Sequence, residues 1–255
     1  MGERFSAARL LAQWRQTRGP MVALAVEPGR SETFLDQHTG VVCKLFDPDA
    51  AHSAASEARV LQLAHAHGLP VPRVRSEFEV RGRRGLVLDF VPGAPLSVMD
   101  CDLGAENRRA AWRAAGRHLA ALHSIPCDDV PNRQWVHGRP DGNAFLVARR
   151  PGRSAVSGFV GFDHAGVGDV ANDLAFAVLD ALLCSYPLEA FVDGYRSVRV
   201  IDDDTKARLM HRLAQLVFEL HPSVAGRVTQ RIDDGVVAQA FAGGLHRRAS
   251  VPLAG

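Results

Sequence analysis

Lysine is nearly absent from this chain: of 30 lysine and arginine residues, only Lys44 and Lys206 are lysines. Because an ammonium and a guanidinium suit different sites, the position of a rare lysine is informative. Cysteine is sparse too. Cys43, Cys101, Cys127 and Cys184 are far apart and form no C-x-x-C pair. Their apolar surroundings read as reduced thiols in a core, with neither disulfide nor zinc expected. No apolar run reaches the roughly 18 residues of a membrane span, and the N-terminus lacks the basic-then-apolar layout of a secretion signal. The reading is therefore cytoplasmic, with no membrane partner. Charge of one sign is also missing, since the formal net charge is +2, which gives no reason to expect nucleic acid. Arg108, Arg109, Arg113 and Arg117 read as one solvated helix face. Met1-Gly2 with Ser6 fits the loose myristoylation pattern, but an arginine- and alanine-rich chain so poor in lysine reads as bacterial, where that modification is not expected. Nothing in the pattern bears on oligomeric state.

What is present is 255 residues with 47% hydrophobic and 23% charged content, enough for one core or for two small lobes sharing a cleft. Residues 6–17 have helical spacing that Gly19-Pro20 ends. Strands follow over 21–26, 33–36 and 41–46, with turns at Gly29 and Gly40. A helix is expected over 53–67, stopped by Gly68 and Pro70, then strands over 74–80 and 85–91. Pro92-Gly93-Ala94-Pro95 is a breaker cluster and the expected hinge between an N-terminal lobe, 1–91, and a C-terminal lobe, 92–255. Beyond it, helices are expected over 105–124, 171–199, 205–220 and 226–247. A hairpin pattern, 144–148 with 155–162, surrounds Pro151-Gly152.

Several motifs fall in a telling order. Lys44 interrupts the apolar run Val41-Val42-Cys43-Lys44-Leu45-Phe46, and Glu57 lies on the next helix. A buried ammonium needs anionic partners, whereas an edge-strand lysine would simply reach for water. Gly29-Arg30-Ser31-Glu32-Thr33-Phe34 lies between the first two strands, and Gly85-Leu86-Val87-Leu88-Asp89-Phe90-Val91 precedes the hinge. Leu119-Ala120-Ala121-Leu122-His123 ends a long helix, where a lone histidine reads as structural. Gly168-Asp169-Val170-Ala171-Asn172-Asp173 opens another, where Asp173 reads as a helix N-cap.

Together these segments, spanning about residues 25–200, resemble the aminoglycoside phosphotransferase and choline kinase branch of the protein-kinase-like fold. The resemblance implies an α+β, two-lobed molecule with a small antiparallel-sheet N-lobe carrying one helix and a larger, mainly helical C-lobe. It further implies ATP (or GTP) and Mg2+ as cofactors. Lys44 and Glu57 would position phosphates, with Ser31 in the phosphate-covering loop and the backbone near Asp89 and Val91 against adenine, and Asp173 would be architectural, supporting the catalytic loop from its helix.

The chemistry departs from that pattern in two places. Relatives carry their catalytic aspartate in His-Gly-Asp-x-x-x-x-Asn; here the loop reads His137-Gly138-Arg139-Pro140-Asp141-Gly142-Asn143. Aligned from His137, the aspartate position is Arg139; counted back from Asn143, it is Gly138. The base is thus lost, moved to Asp141 or replaced by His137, while Asn143 stays as a metal ligand. The main metal-ligand position is Gly161, followed by Phe162 as the pattern requires, and Asp163 lies two residues further on. If this segment is a strand, period two turns Asp163 the same way as Gly161 and lets it reach the metal. Two functions remain open: transfer of a γ-phosphoryl group to a small-molecule hydroxyl, or a pseudokinase that binds nucleotide without transfer. The acceptor is unknown. Asp180, Glu189 or Asp193 would attract a cationic acceptor, or are surface charges.

Overall fold

The computed structural model describes residues 21–27, 30–80, 82–127, 133–150 and 153–242. The helix expected over 6–17, together with Gly29 and the Pro151-Gly152 turn, lies outside them.

The first part is a five-stranded antiparallel sheet in the order β1-β2-β3-β5-β4. Its strands are β1 (Met21–Glu27), β2 (Ser31–Asp36), β3 (Val41–Phe46), β4 (Val74–Val80) and β5 (Arg83–Asp89). Helix α1 (Ala51–Ala66) enters between β3 and β4. β3 lies between β2 and β5, and all six of its residues are buried. That position explains an unbroken apolar run where a half-exposed strand would alternate. It also forces Lys44, opposite Thr33 and Leu86, to find partners away from water.

The second part holds β6 (Ala94–Pro95), α2 (Leu96–Met99), α3 (Ala105–His123), β7 (Gln134–Val136), β8 (Phe145–Arg150), β9 (Arg153–Phe159) and β10 (Gly166–Gly168). Helices α4 (Val170–Cys184), α5 (Leu188–Arg196), α6 (Asp203–Phe218), α7 (Pro222–Asp233) and α8 (Val236–Ala242) follow. β6-β8-β9 and β10-β7 form two short antiparallel sheets. One buried cluster runs from Val42, Phe46 and Leu86 through Leu119, Phe145 and Phe159 to Leu174 and Tyr195, so the two parts share a core.

Helices α3 and α5 cross at two glycines. A Cβ on Gly116 would lie 2.0 Å from the Phe191 carbonyl oxygen, and one on Gly194 would lie 1.9 Å from that of Arg113. Both helices are therefore in backbone contact where they cross.

Three expectations are corrected. The helix read as 171–199 is two helices, because Ser185 caps α4 in a left-handed conformation (φ 61) and Pro187, with no N–H to donate, precedes α5. The segment read as 226–247 starts at Pro222 and breaks at Gly235 (φ 79). Of the four cysteines only Cys43 is a core thiol, its pKa pushed up to about 12 by burial and then by Asp36. Cys101 and Cys184 are exposed and Cys127 is half-buried. Among the described residues, no helix is long and apolar enough to cross a membrane.

Candidate active site

Lys44 is buried, and its Nζ lies 2.8 Å from Glu57 Oε2 and 2.5 Å from Asp163 Oδ1. Each partner comes from a different element: the lysine from β3, Glu57 from α1 and Asp163 from the 3-10 turn 162–164. Ser56 donates from Oγ to the Ala165 carbonyl at 2.6 Å, which fastens α1 to the end of that turn and keeps Glu57 aimed at Lys44. Ser31 Oγ donates to Asp163 Oδ1 at 2.8 Å, and Arg30 reaches the Asp163 carbonyl at 3.3 Å. Arg30 and the start of β2 are thereby joined to Asp163. Only Arg30 of the expected phosphate-covering segment is a described turn residue, since Ser31 to Phe34 already belong to β2.

One ammonium serves two carboxylates, and they respond differently. Burial pushes Asp163 up, but the charge of Lys44 and hydrogen bonds from Lys44 and Ser31 outweigh it and hold the carboxyl below its usual range. Glu57 is more deeply buried; desolvation, opposed by Lys44 and helped by the Asp163 charge, holds it up at about 7. Burial lowers the Lys44 pKa, yet the two carboxylates raise it further, so the amine stays charged.

The loop 137–143 borders the same cleft. Asp173, fully buried near the start of α4, accepts from His137 N–H at 2.7 Å, Gly138 N–H at 2.8 Å and His123 Nε2 at 3.0 Å. His123 also hydrogen-bonds the Tyr195 hydroxyl at 2.8 Å, as its structural reading requires. Gly138 takes φ 91, and a Cβ there would meet the His164 carbonyl oxygen at 2.3 Å. His137 is stacked on Phe159 and edge-on to Phe162, its Nε2 hydrogen-bonded to the Val160 carbonyl at 2.8 Å and its Nδ1 accepting from Arg139 N–H at 3.3 Å. Burial holds its pKa down, against the pull of Asp173. A neutral ring with both nitrogens engaged has no lone pair for a substrate proton. The structure thus occupies His137, whereas Asp141, the other candidate, is half-buried.

Gly161 is left-handed (φ 81) and starts the 3-10 turn that contains Asp163. The strand alternation expected to orient Asp163 is therefore absent. A tight helical turn brings its carboxylate to Lys44 instead. His137, Arg139, Asp141, Asn143, Ala144, Gly161, Asp163 and His164 line one cavity of about 210 Å³. Asp141, Asn143 and Asp163, all candidates from sequence, are brought together in that cavity. Lys44 and Glu57 adjoin it through Asp163.

A family model described as the phosphotransferase enzyme family matches residues 22–155, more than half of the chain. The chain belongs to that family. The streptomycin 3''-kinase of Streptomyces griseus is 32% identical over 101 residues, which cover 40% of this chain and 35% of that enzyme. The chain thus spans about a third of the length of that curated relative. The aminoglycoside phosphotransferase APH(3'')-Id from Streptomyces rimosus superposes at a TM-score of 0.62, with 16% identity over 81% of this chain and 96% of that one. Its complex with ADP and streptomycin superposes at 0.55, with 14% identity over 87% and 95% of the two chains. The fold is the two-lobed, α+β, protein-kinase-like one.

In this member of the phosphotransferase family, other sequence candidates are placed less favourably. The Asp89 N–H already donates to the Arg73 carbonyl at 3.0 Å and its carboxylate pairs with Arg75, so neither is directed at a nucleotide base. Val91 is half-buried and would meet a Cβ added at Gly158. The stripe read as a solvated arginine face is paired in large part: Arg108 with Asp100, Arg109 with Glu189 and Arg113 with Asp193. Glu189 and Asp193 each face an arginine, whereas Asp180 accepts from the Gly142 N–H at 2.7 Å.

Oxygen donors suit a magnesium ion, which takes few protein ligands and keeps waters and phosphate oxygens. Asp163, ionised by its neighbours, and the Asn143 amide fit that chemistry on one cavity, although the Asn143 Oδ1 accepts from Ser97 Oγ at 2.6 Å. Sequence reasoning passed over Ser97 and the Trp112–Tyr186 stack, whose ring centroids are 4.4 Å apart. Neither lies in a recognisable motif; only Gly142, squeezed against both, gives a local sign of them.

Proposed function

We propose that this chain transfers the γ-phosphoryl group of ATP or GTP to a hydroxyl of a small molecule. The observation that carries this reading is the charged Lys44 held between Glu57 and Asp163 at the edge of a cleft. Phosphoryl transfer needs positioned positive charge on the phosphates, oxygen ligands for a divalent cation and a carboxylate for the attacking hydroxyl. In this reading Lys44, kept in place by Glu57, binds phosphate oxygens, with Ser31 above them. Asn143 and Asp163 would hold Mg2+, which supplies charge neutralisation on the phosphates when bound. Asp141 accepts the proton of the acceptor hydroxyl. Its Oδ1 takes the Asn143 N–H at 2.9 Å, and its other oxygen is 3.8 Å from Arg139. The curated relative acts on streptomycin and a structural neighbour was solved with ADP and streptomycin, which favours a polyhydroxylated acceptor here.

Arg139 and Gly161, standing where relatives carry carboxylates, favour a second reading in which nucleotide is bound without transfer. Incubation of the purified protein with ATP, Mg2+ and a panel of hydroxyl compounds, with mass spectrometry of the products, decides between them. A phosphorylated acceptor supports the enzyme. Stabilisation by ATP without any phosphorylated product supports the binding module.

A further inference from the structure

Asp173 and Asp180 stand seven residues apart on α4, two helical turns, and so on one face about 10 Å apart. Asp173 holds the start of the loop through His137 and Gly138. Asp180 accepts from Gly142 N–H at 2.7 Å, near the loop's other end. No other hydrogen bond in the loop's second half joins it to α4 among the described residues.

Gly142 is also closed in by side chains. A Cβ there would lie 3.1 Å from Ser97 Cβ, 3.2 Å from Trp112 Cη2 and 3.3 Å from Tyr186 Cε2. The Gly142 carbonyl accepts from Ser97 N–H at 3.0 Å, and the Trp112 indole is anchored by its N–H to the buried Asp100 at 2.7 Å. The glycine flanked by Asp141 and Asn143 is thus in contact with both a carboxylate and an aromatic stack.

We infer that Asp180 is a positioning residue: it fixes the second half of the loop on the face of α4 that holds the first half, and so sets where Asp141 and Asn143 stand. Asp141 and Asn143 flank Gly142 directly, so the attachment of Gly142 bears on both. The kinetic part of this inference rests on the phosphotransferase reading; the attachment itself does not.

The test compares wild type, Asp180→Ala and Asp180→Asn by amide hydrogen exchange and steady-state kinetics. In Asp180→Ala the Gly142 amide exchanges at least about 10-fold faster, while the His137 and Gly138 amides, held by Asp173, keep their wild-type rates. In the same variant kcat falls about 100-fold, with KM for ATP nearly unchanged, as expected for misplaced groups rather than a lost binding contact. Asp180→Asn, which keeps an acceptor oxygen, recovers part of both. Wild-type exchange at Gly142 in Asp180→Ala overturns the inference, as does a rise in acceptor KM with kcat intact. If wild type transfers no phosphoryl group, the phosphotransferase reading fails and the exchange rates still decide whether Asp180 anchors the loop.

Discussion

The ammonium of Lys44, in the central strand of the first sheet, lies 2.5 Å from a carboxylate of Asp163, in a turn of the second part. The turn sequence Gly161-Phe162-Asp163 thus delivers a carboxylate to the lysine although position 161 has none. Asp163→Asn keeps an acceptor for Ser31 but removes the charge. Turnover with ATP and Mg2+ is expected to fall about 100-fold or more, close to 3 kcal/mol of barrier. Because the fold holds Asp163 ionised below its usual range, loss of the charge should also lower the melting temperature, although Lys44 keeps Glu57. Steady-state kinetics and thermal unfolding of the variant check both, and wild-type turnover would remove Asp163 from the mechanism.

Glu57, held up at about 7 against an ordinary 4.5, gives stability a distinctive pH dependence. Between those values the folded chain keeps a proton that the unfolded chain releases. Its contribution to stability therefore declines as pH rises from about 4.5 to about 7 and is level above. His118, held down to about 4 by burial and then Arg117, acts oppositely: its contribution is complete above its unfolded value and is lost as pH falls. Glu57→Gln isolates the carboxylate. The unfolding free energy of wild type minus that of Glu57→Gln should drop by up to about 3 kcal/mol between pH 5 and pH 8. Urea unfolding at the two pH values measures it; a constant difference contradicts the assignment.

The lysine site was legible because local signals called for an anionic partner and the family resemblance named Glu57 as that partner. A single ammonium in an unbroken apolar strand, followed by a helix carrying Glu57, has few folded arrangements that leave the charge compensated. The structural His123 was readable from its place at a helix end, whereas the loop anchor Asp173 was readable only through the family resemblance, its own position suggesting no more than a helix cap. Asp163 was found by an argument about strand periodicity that the left-handed Gly161 invalidates, since a turn's geometry depends on which residue takes positive φ. The pairing of Arg109 with Glu189 and Arg113 with Asp193 was not readable, because it depends on how α3 and α5 cross. Asp180 was noticed only as a charge: its partner is a backbone N–H brought near by tertiary packing.

The crossing itself makes a prediction of opposite sign to helix propensity. In a helix interior, glycine to alanine ordinarily stabilises by about 1 kcal/mol. At Gly194, a Cβ would lie 1.9 Å from the Arg113 carbonyl oxygen and 2.7 Å from its carbon, both backbone atoms that no rotamer change can move. Gly194→Ala should therefore destabilise by roughly 2 to 4 kcal/mol, with α3 and α5 forced apart. Gly226, on α7, has nothing within 4 Å of an added Cβ, so Gly226→Ala should be neutral or stabilising. Chemical denaturation of the two variants gives the comparison.

The two lysines offer a final contrast. Lys206 is paired with Asp203 at 2.7 Å on an exposed turn of α6, and such a pair contributes about 0 to 1 kcal/mol. Lys44→Met, by contrast, leaves Glu57 and Asp163 together in a buried site with no compensating charge. Loss of one member of such a set costs about 3 to 5 kcal/mol. At pH 8 the Lys44→Met protein should unfold at correspondingly lower denaturant, while Lys206→Met stays within about 1 kcal/mol of wild type. At pH 5 part of the Lys44→Met deficit should return, because Glu57 takes up a proton and the like charges no longer face each other. Added ATP should raise the melting temperature of wild type and of Lys206→Met but leave Lys44→Met unmoved, since the phosphate-binding cation has gone. A Lys44→Met protein that ATP stabilises as strongly as wild type would mean that the nucleotide is bound without Lys44.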